Sequence, residues 1–167
     1  MLRVITLLVL LSTSFLTAQT QLKNPCATEQ HKQFDFWVGD WNVYNTQGKL
    51  IGTNKILKMH NRCVMQENWE SKTSPNKGTS YNYYDLSDKT WNQVWVDNSG
   101  YSLVLKGNYS GKSMVMKSSL VSSKNGDYYN KLTWTKNNDG SVTQLWEFVD
   151  AQGKVIREAF RGIYKKK

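Results

Sequence analysis

The chain has 167 residues, with 22 Lys and Arg against 13 Asp and Glu and a formal net charge of +9. A chain of that length makes one domain with a substantial core, and its basic residues are spread through turns and alternate strand positions, which argues against a nucleic-acid surface. Two histidines and two cysteines are too few for most metal sites, so no metal or other cofactor is expected, and no glycine-rich phosphate loop occurs.

The first element is a leader. Arg3 precedes an apolar run from Val4 to Leu11, followed by small and polar residues up to Leu16-Thr17-Ala18. This pattern predicts a signal peptide over residues 1–18, with an apolar run too short for a transmembrane span. Cys26 follows Asn24-Pro25 and lacks a lipobox, so no membrane anchor is expected. The expectation is a secreted or periplasmic protein.

Residues 19–33 form a lead-in, with one or two helical turns over 27–33 and Thr28 as a cap. His31 in this segment and His60 at a later turn read as surface residues rather than ligands. An exported chain meets oxidising conditions, so Cys26 and Cys63 are expected to form a disulfide tying the lead-in to the wall of the next domain. Two buried free thiols are the alternative.

The third region, residues 34–167, opens on Phe34-Asp35-Phe36-Trp37-Val38-Gly39-Asp40-Trp41. Gly39-Asp40-Trp41 is a G-x-W triplet. The glycine lets the chain bend into a barrel wall, and the Trp41 indole then closes one end as an apolar plug. From here short β-branched and aromatic runs alternate with Gly, Asn, Asp and Ser. Ten strands are predicted, at residues 36–45, 50–59, 63–70, 79–86, 91–97, 101–106, 113–121, 128–136, 142–149 and 155–164. Ten strands joined by tight turns, with only 71–78 as a longer loop, favour an all-β antiparallel up-and-down barrel over a Greek-key sandwich. Closure also removes exposed edges.

Alternation sorts the faces. Inward sets are predicted as Trp37, Gly39, Trp41 and Val43; Cys63, Met65, Glu67 and Trp69; Trp91, Gln93 and Trp95; and Val142, Gln144, Trp146 and Phe148. Three strands thus carry a polar residue two positions before a tryptophan: Glu67-x-Trp69, Gln93-x-Trp95 and Gln144-x-Trp146. Residues two apart share a strand face, so each pair sets a hydrogen-bonding group beside a large apolar ring. Burying an unpartnered amide costs about 1–3 kcal/mol, and a lone carboxylate far more. These six residues therefore point to a tryptophan-lined pocket, because a barrel of this strand number can leave a cavity. The other reading is a filled barrel in which they pair with each other or with buried water.

The run FDFWVGDW after a cysteine, CVMQENW, WNQVWVDNSG, DGSVTQLWE and the closing FRGIY together resemble a family of uncharacterised exported bacterial proteins with a lipocalin-like, or calycin, barrel. The resemblance spans about residues 26–164 and implies a small β-barrel; it implies no particular activity. Two related barrel types are departed from. Fatty-acid-binding barrels hold a carboxylate with an Arg-x-Tyr pair, whereas Arg161 and Tyr164 are three apart and fall on opposite faces. Nitrobindin-like barrels hold haem through a histidine, and neither His31 nor His60 falls in a strand near the expected pocket.

The functional expectation is an exported barrel that binds a small amphipathic or hydrophobic molecule, with its oligomeric state open. The alternatives are an enzyme using Glu67 as general acid or base in the same pocket, and a filled structural or interaction barrel.

Overall fold

A computed structural model describes residues 24–167; the predicted signal peptide and the first part of the lead-in lie outside them. The described lead-in forms one short helix, α1 (Glu29–Lys32), and a 3₁₀ turn (Asp35–Trp37). Thr28 caps α1 by accepting from the His31 backbone N–H at 3.4 Å.

Ten strands follow: β1 (Gly39–Tyr44), β2 (Leu50–Met59), β3 (Val64–Ser71), β4 (Lys77–Asp85), β5 (Thr90–Asp97), β6 (Ser102–Ser110), β7 (Ser113–Lys117), β8 (Tyr129–Lys136), β9 (Val142–Val149) and β10 (Val155–Lys166). Each pairs antiparallel with its neighbours in sequence, and β1 pairs with β10 through Val43↔Tyr164, closing an up-and-down barrel. Turn chemistry explains the short connections. The side-chain oxygens of Asn45, Asp97, Asp139 and Asp150 each accept a backbone N–H from the turn that follows.

Three predicted strands need correction. Phe36 and Trp37 belong to the 3₁₀ turn, and the strand begins at Gly39. Gly39 has φ +148°, a conformation that a residue with a Cβ rarely adopts, and it converts the 3₁₀ turn into the first strand. The sixth strand, predicted to end at Lys106, continues to Ser110, because Asn108, Tyr109 and Ser110 pair with Val115, Met114 and Ser113. The seventh strand stops at Lys117 rather than Val121; beyond it the Ser118 N–H still donates to the Asn130 carbonyl at 2.9 Å, and Val121 and Tyr128 form an isolated bridge.

One end of the barrel is sealed by aromatic side chains. Phe34, Trp37, Trp41, Trp91 and Trp134 are all buried. Phe34 stacks on Trp37 at 5.0 Å and meets Trp134 and Trp91 edge-on at 5.3 and 5.6 Å. The Trp41 indole packs edge-on against Tyr164 and donates its Nε1–H to the Trp37 carbonyl at 2.8 Å. The seal therefore comes from the lead-in and β1 together.

The lead-in is pinned across this end. His31, expected at the surface, is buried: it meets the Tyr84 ring edge-on at 5.4 Å, its Nδ1 lies 2.7 Å from the Thr28 hydroxyl, and burial lowers its pKa. Asp35 takes Lys58 at 2.5 Å and Arg62 at 2.6 Å. The β2–β3 turn carries three successive non-glycine residues in the left-handed region, His60, Asn61 and Arg62, with φ 48°, 53° and 74°. Such residues cost of order 1–3 kcal/mol each unless their surroundings impose them. Here the constraints are the Arg62–Asp35 pair, an Asn24 side-chain bond to the Asn61 carbonyl at 2.8 Å, and the adjoining Cys26–Cys63 disulfide.

That disulfide spans 37 residues. On the chain-entropy model, opening a bridge of this span removes about 4 kcal/mol. Denaturant midpoints measured with and without reductant are expected to differ accordingly, and the denatured, unreduced protein should show no reactive thiol. Coincident midpoints would mean that the bridge contributes nothing.

Candidate functional site

The other end of the barrel is open. A cavity of about 460 Å³ enters between the β3–β4 loop, Asp97 at the end of β5, Tyr101 just before β6 and Ala159 of β10. Glu67, Trp69, Gln93, Trp95, Gln144 and Trp146, the six residues singled out in the sequence, all line it.

Strand direction explains the convergence. β3, β5 and β9 all run from the sealed end toward the mouth. In each, successive inward residues are an apolar group, a polar group and a tryptophan: Met65-Glu67-Trp69, Trp91-Gln93-Trp95 and Val142-Gln144-Trp146. With a repeat of two along parallel-running strands, the polar groups fall at mid-depth and the tryptophans nearer the mouth.

Close approach holds two of the indoles against the wall. Gly52 and Gly78 lack the Cβ that would strike the Trp69 and Trp95 rings, so the six-membered rings lie directly over glycine backbone. The remaining ring surfaces, with Phe160 edge-on to Trp69 at 6.0 Å, line the cavity. The Trp146 Nε1–H donates to Asn130 Oδ1 at 2.9 Å and is thereby oriented.

The floor is polar. Glu67 is buried, and its two carboxylate oxygens accept from Asn54 Nδ2 at 2.7 Å and from the Ser80 hydroxyl at 2.6 Å. Gln93 Nε2 donates to Asn82 Oδ1 at 2.8 Å, and Asn82 Nδ2 donates to Ser80 Oγ at 2.9 Å. On the other side the Tyr164 hydroxyl donates to Gln144 Oε1 and accepts weakly from Asn54 Nδ2 at 3.3 Å. Burial pushes the Glu67 carboxyl up to about 7, opposed by the bonds from Ser80 and Asn54. Burial, together with the nearby Glu67 charge, also drives the Tyr164 hydroxyl upward. At the rim Asp97 is held low, chiefly by the Ser99 hydroxyl.

Asn54, Ser80, Asn82 and Phe160 line or floor the cavity without having been expected there, and Tyr164 had been weighed only as a partner of Arg161. On β4 the usual contrast is inverted: Ser80 and Asn82 point inward, while Tyr81 and Tyr83 are 47% and 37% exposed. No amphipathic signal marks such a strand. The signal available was register, because Ser80 pairs directly with Glu67, and Asn82 with Gln93.

Neither histidine lines the cavity; His31 sits at the sealed end and His60 is exposed in its turn. Tyr164 points inward while Arg161 faces out and pairs with Glu158 at 2.6 Å, as their spacing predicted. Arg157 lies over the Phe148 ring at 4.5 Å. Among the described residues no group of His, Cys, Asp and Glu is arranged to hold a metal ion, and no helix is long and apolar enough to cross a membrane. In comparisons with known proteins, the chain matches no protein-family model and no curated sequence.

Proposed function

We propose that this protein is an exported binding barrel that holds a small, partly apolar molecule in its tryptophan-lined cavity. The observation that carries the reading is the cavity of about 460 Å³, with tryptophans toward the mouth and hydrogen-bonding groups at mid-depth. This volume lies within the usual range for small-molecule sites, as does an apolar lining with a few convergent polar groups. It also weighs against a filled structural barrel. Export is supported by the leader-like N-terminus and by the disulfide. Kinship with the exported calycin barrels rests on the sequence motifs, and the closed ten-stranded barrel agrees with it.

Tryptophan emission of the mature protein, titrated with the uncharged dye prodan, is expected to change saturably. Trp95→Ala should weaken that binding about tenfold, the loss of one well-buried aromatic contact. Gly78→Ala, whose Cβ drives the Trp95 ring into the cavity, should weaken it comparably. Tyr81→Ala, on the outer wall, should leave it unchanged. An emission that does not respond to the dye would overturn the reading. Native mass spectrometry of protein purified from its own host identifies any ligand that co-purifies.

A second reading is favoured by one observation. A buried carboxyl that titrates at about 7 suits general acid or base chemistry, so Glu67 can act on a substrate held by the same walls. Loss of turnover in Glu67→Gln, with binding retained, would distinguish an enzyme from a carrier.

A further inference from the structure

We infer that the cavity is built for an organic cation: a molecule with an aromatic or aliphatic body that seats a protonated amine or quaternary ammonium against Glu67 and the tryptophan rings. This inference rests on the binding reading above and names its ligand class.

Charge inside the cavity has one sign. Its lining contains two acids, Glu67 at the floor and Asp97 at the rim, and among the described residues no Lys, Arg or His. This is so although the chain as a whole is strongly basic. The described lysines and arginines that form ion pairs do so with Asp35, Asp40, Glu70, Asp88, Glu147, Glu158 or Glu29, and none with Glu67. Glu67 is 5% exposed, and both of its hydrogen-bond donors are neutral. A buried carboxylate without a counter-ion is costly, and a ligand cation is the group that would balance it.

The position of that carboxylate is fixed by a built network. Asn54 and Ser80 each hold one oxygen, Asn82 donates to Ser80, and Gln93 donates to Asn82 in turn. Such an arrangement orients an anion toward a partner instead of letting it turn away to solvent.

The walls suit the same ligand. Trp69, Trp95, Trp146 and Phe160 line the cavity above Glu67, and aromatic faces attract cations, tryptophan most strongly, with the attraction rising as the site is desolvated. An anionic ligand, such as a fatty acid, would meet Glu67 at the floor with no cation to receive it. A neutral ligand would leave Glu67 to take up a proton.

The groups that surround Glu67 make the pH behaviour simple. Asn54, Ser80, Asn82 and Gln93 do not titrate, and Tyr164 is driven further from neutrality by burial. Asp97 stays ionised across the neutral range. Cation binding should therefore strengthen as pH rises through the Glu67 transition.

The test compares three probes of one shape by tryptophan emission: 2-(2-naphthyl)ethylammonium, the uncharged 2-(2-naphthyl)ethanol and the anionic 2-naphthylacetate. At about pH 8.5, where Glu67 is ionised and the amine still protonated, the cation is expected to bind at least about tenfold tighter than the alcohol, and the acid weakest. At about pH 5.5 the preference of cation over alcohol should shrink to about twofold, as Glu67 takes up its proton. Glu67→Gln should abolish the preference of cation over alcohol at high pH, since the amide keeps the shape but not the charge. If that variant does not fold, the pH comparison on the parent protein decides alone. Alcohol or acid binding as tightly as the cation at high pH would overturn the cation inference and leave the binding reading standing. No response to any of the three would overturn both.

Discussion

Trp41→Ala is expected to destabilise the barrel by about 3–5 kcal/mol, as large-to-small changes at fully buried aromatic sites do. Trp41 is completely buried, packs edge-on against Tyr164 and lies beneath the Lys166 ammonium, 5.1 Å from its ring centre. Removing the indole opens a void between the lead-in and β10, and it also strands the Trp37 carbonyl that accepts the Trp41 Nε1–H. The neighbouring rings cannot collapse into that void, because Phe34, Trp37 and Trp134 already pack against one another. Denaturant unfolding followed by far-UV circular dichroism measures the loss. Trp41→Phe separates the two components: it keeps most of the volume and should cost less than the alanine variant. A midpoint for Trp41→Ala within error of the parent would mean that the sealed end does not depend on this indole.

The second large effect is a fall in stability with rising pH. The Glu67 carboxyl moves from an ordinary 4.5 to about 7 on folding. A raised folded-state value means that the folded protein holds the proton more tightly than the unfolded chain does. The corresponding stability is fully present below pH 4.5 and is lost as pH rises to about 7, above which the cost of the buried charge is constant. The size of the displacement corresponds to about 3 kcal/mol. Part of this is already lost at pH 5, so the parent protein is expected to be about 2–3 kcal/mol less stable near pH 8 than near pH 5 through this group alone. Surface carboxylates such as Glu70 and Asp88, whose values are depressed, act in the opposite sense and at lower pH. Glu67→Gln should remove the decline between pH 5 and 8, because the amide does not titrate. The same slope in parent and variant would show that Glu67 is not the responsible group. Saturation with a cation should also flatten the slope, since a bound positive charge favours the ionised carboxyl.

Local physics made much of this fold legible from the residues. Strand positions followed from β-branched and aromatic runs punctuated by turn residues, and seven of the ten were placed with small errors at their ends. The inward sets followed from alternation, and the Glu67, Gln93 and Gln144 repeat marked the cavity because polar residues do not belong at regular inward positions of a packed core. The Cys26–Cys63 pairing followed from there being only two cysteines in a chain whose leader-like N-terminus pointed to export.

Tertiary structure alone decided the rest. A strand and a 3₁₀ turn share the same aromatic-rich composition at Phe36-Trp37, and only packing against Trp134 and Phe34 selects the turn. His31 is polar and lies in a short helix, so nothing local predicts its burial; Tyr84, far along the chain, covers it. Likewise, Asn54, Ser80 and Asn82 are polar residues at inward strand positions, and they become site residues because register sets them beside Glu67 and Gln93. The cavity itself depends on the β1–β10 closure, on the plug at one end and on Gly52 and Gly78 receiving two indoles. Alternation along a strand is a property of neighbouring residues and can be read from them. Whether ten such strands enclose space or fill it depends on contacts between residues distant in sequence, which only the closed barrel defines.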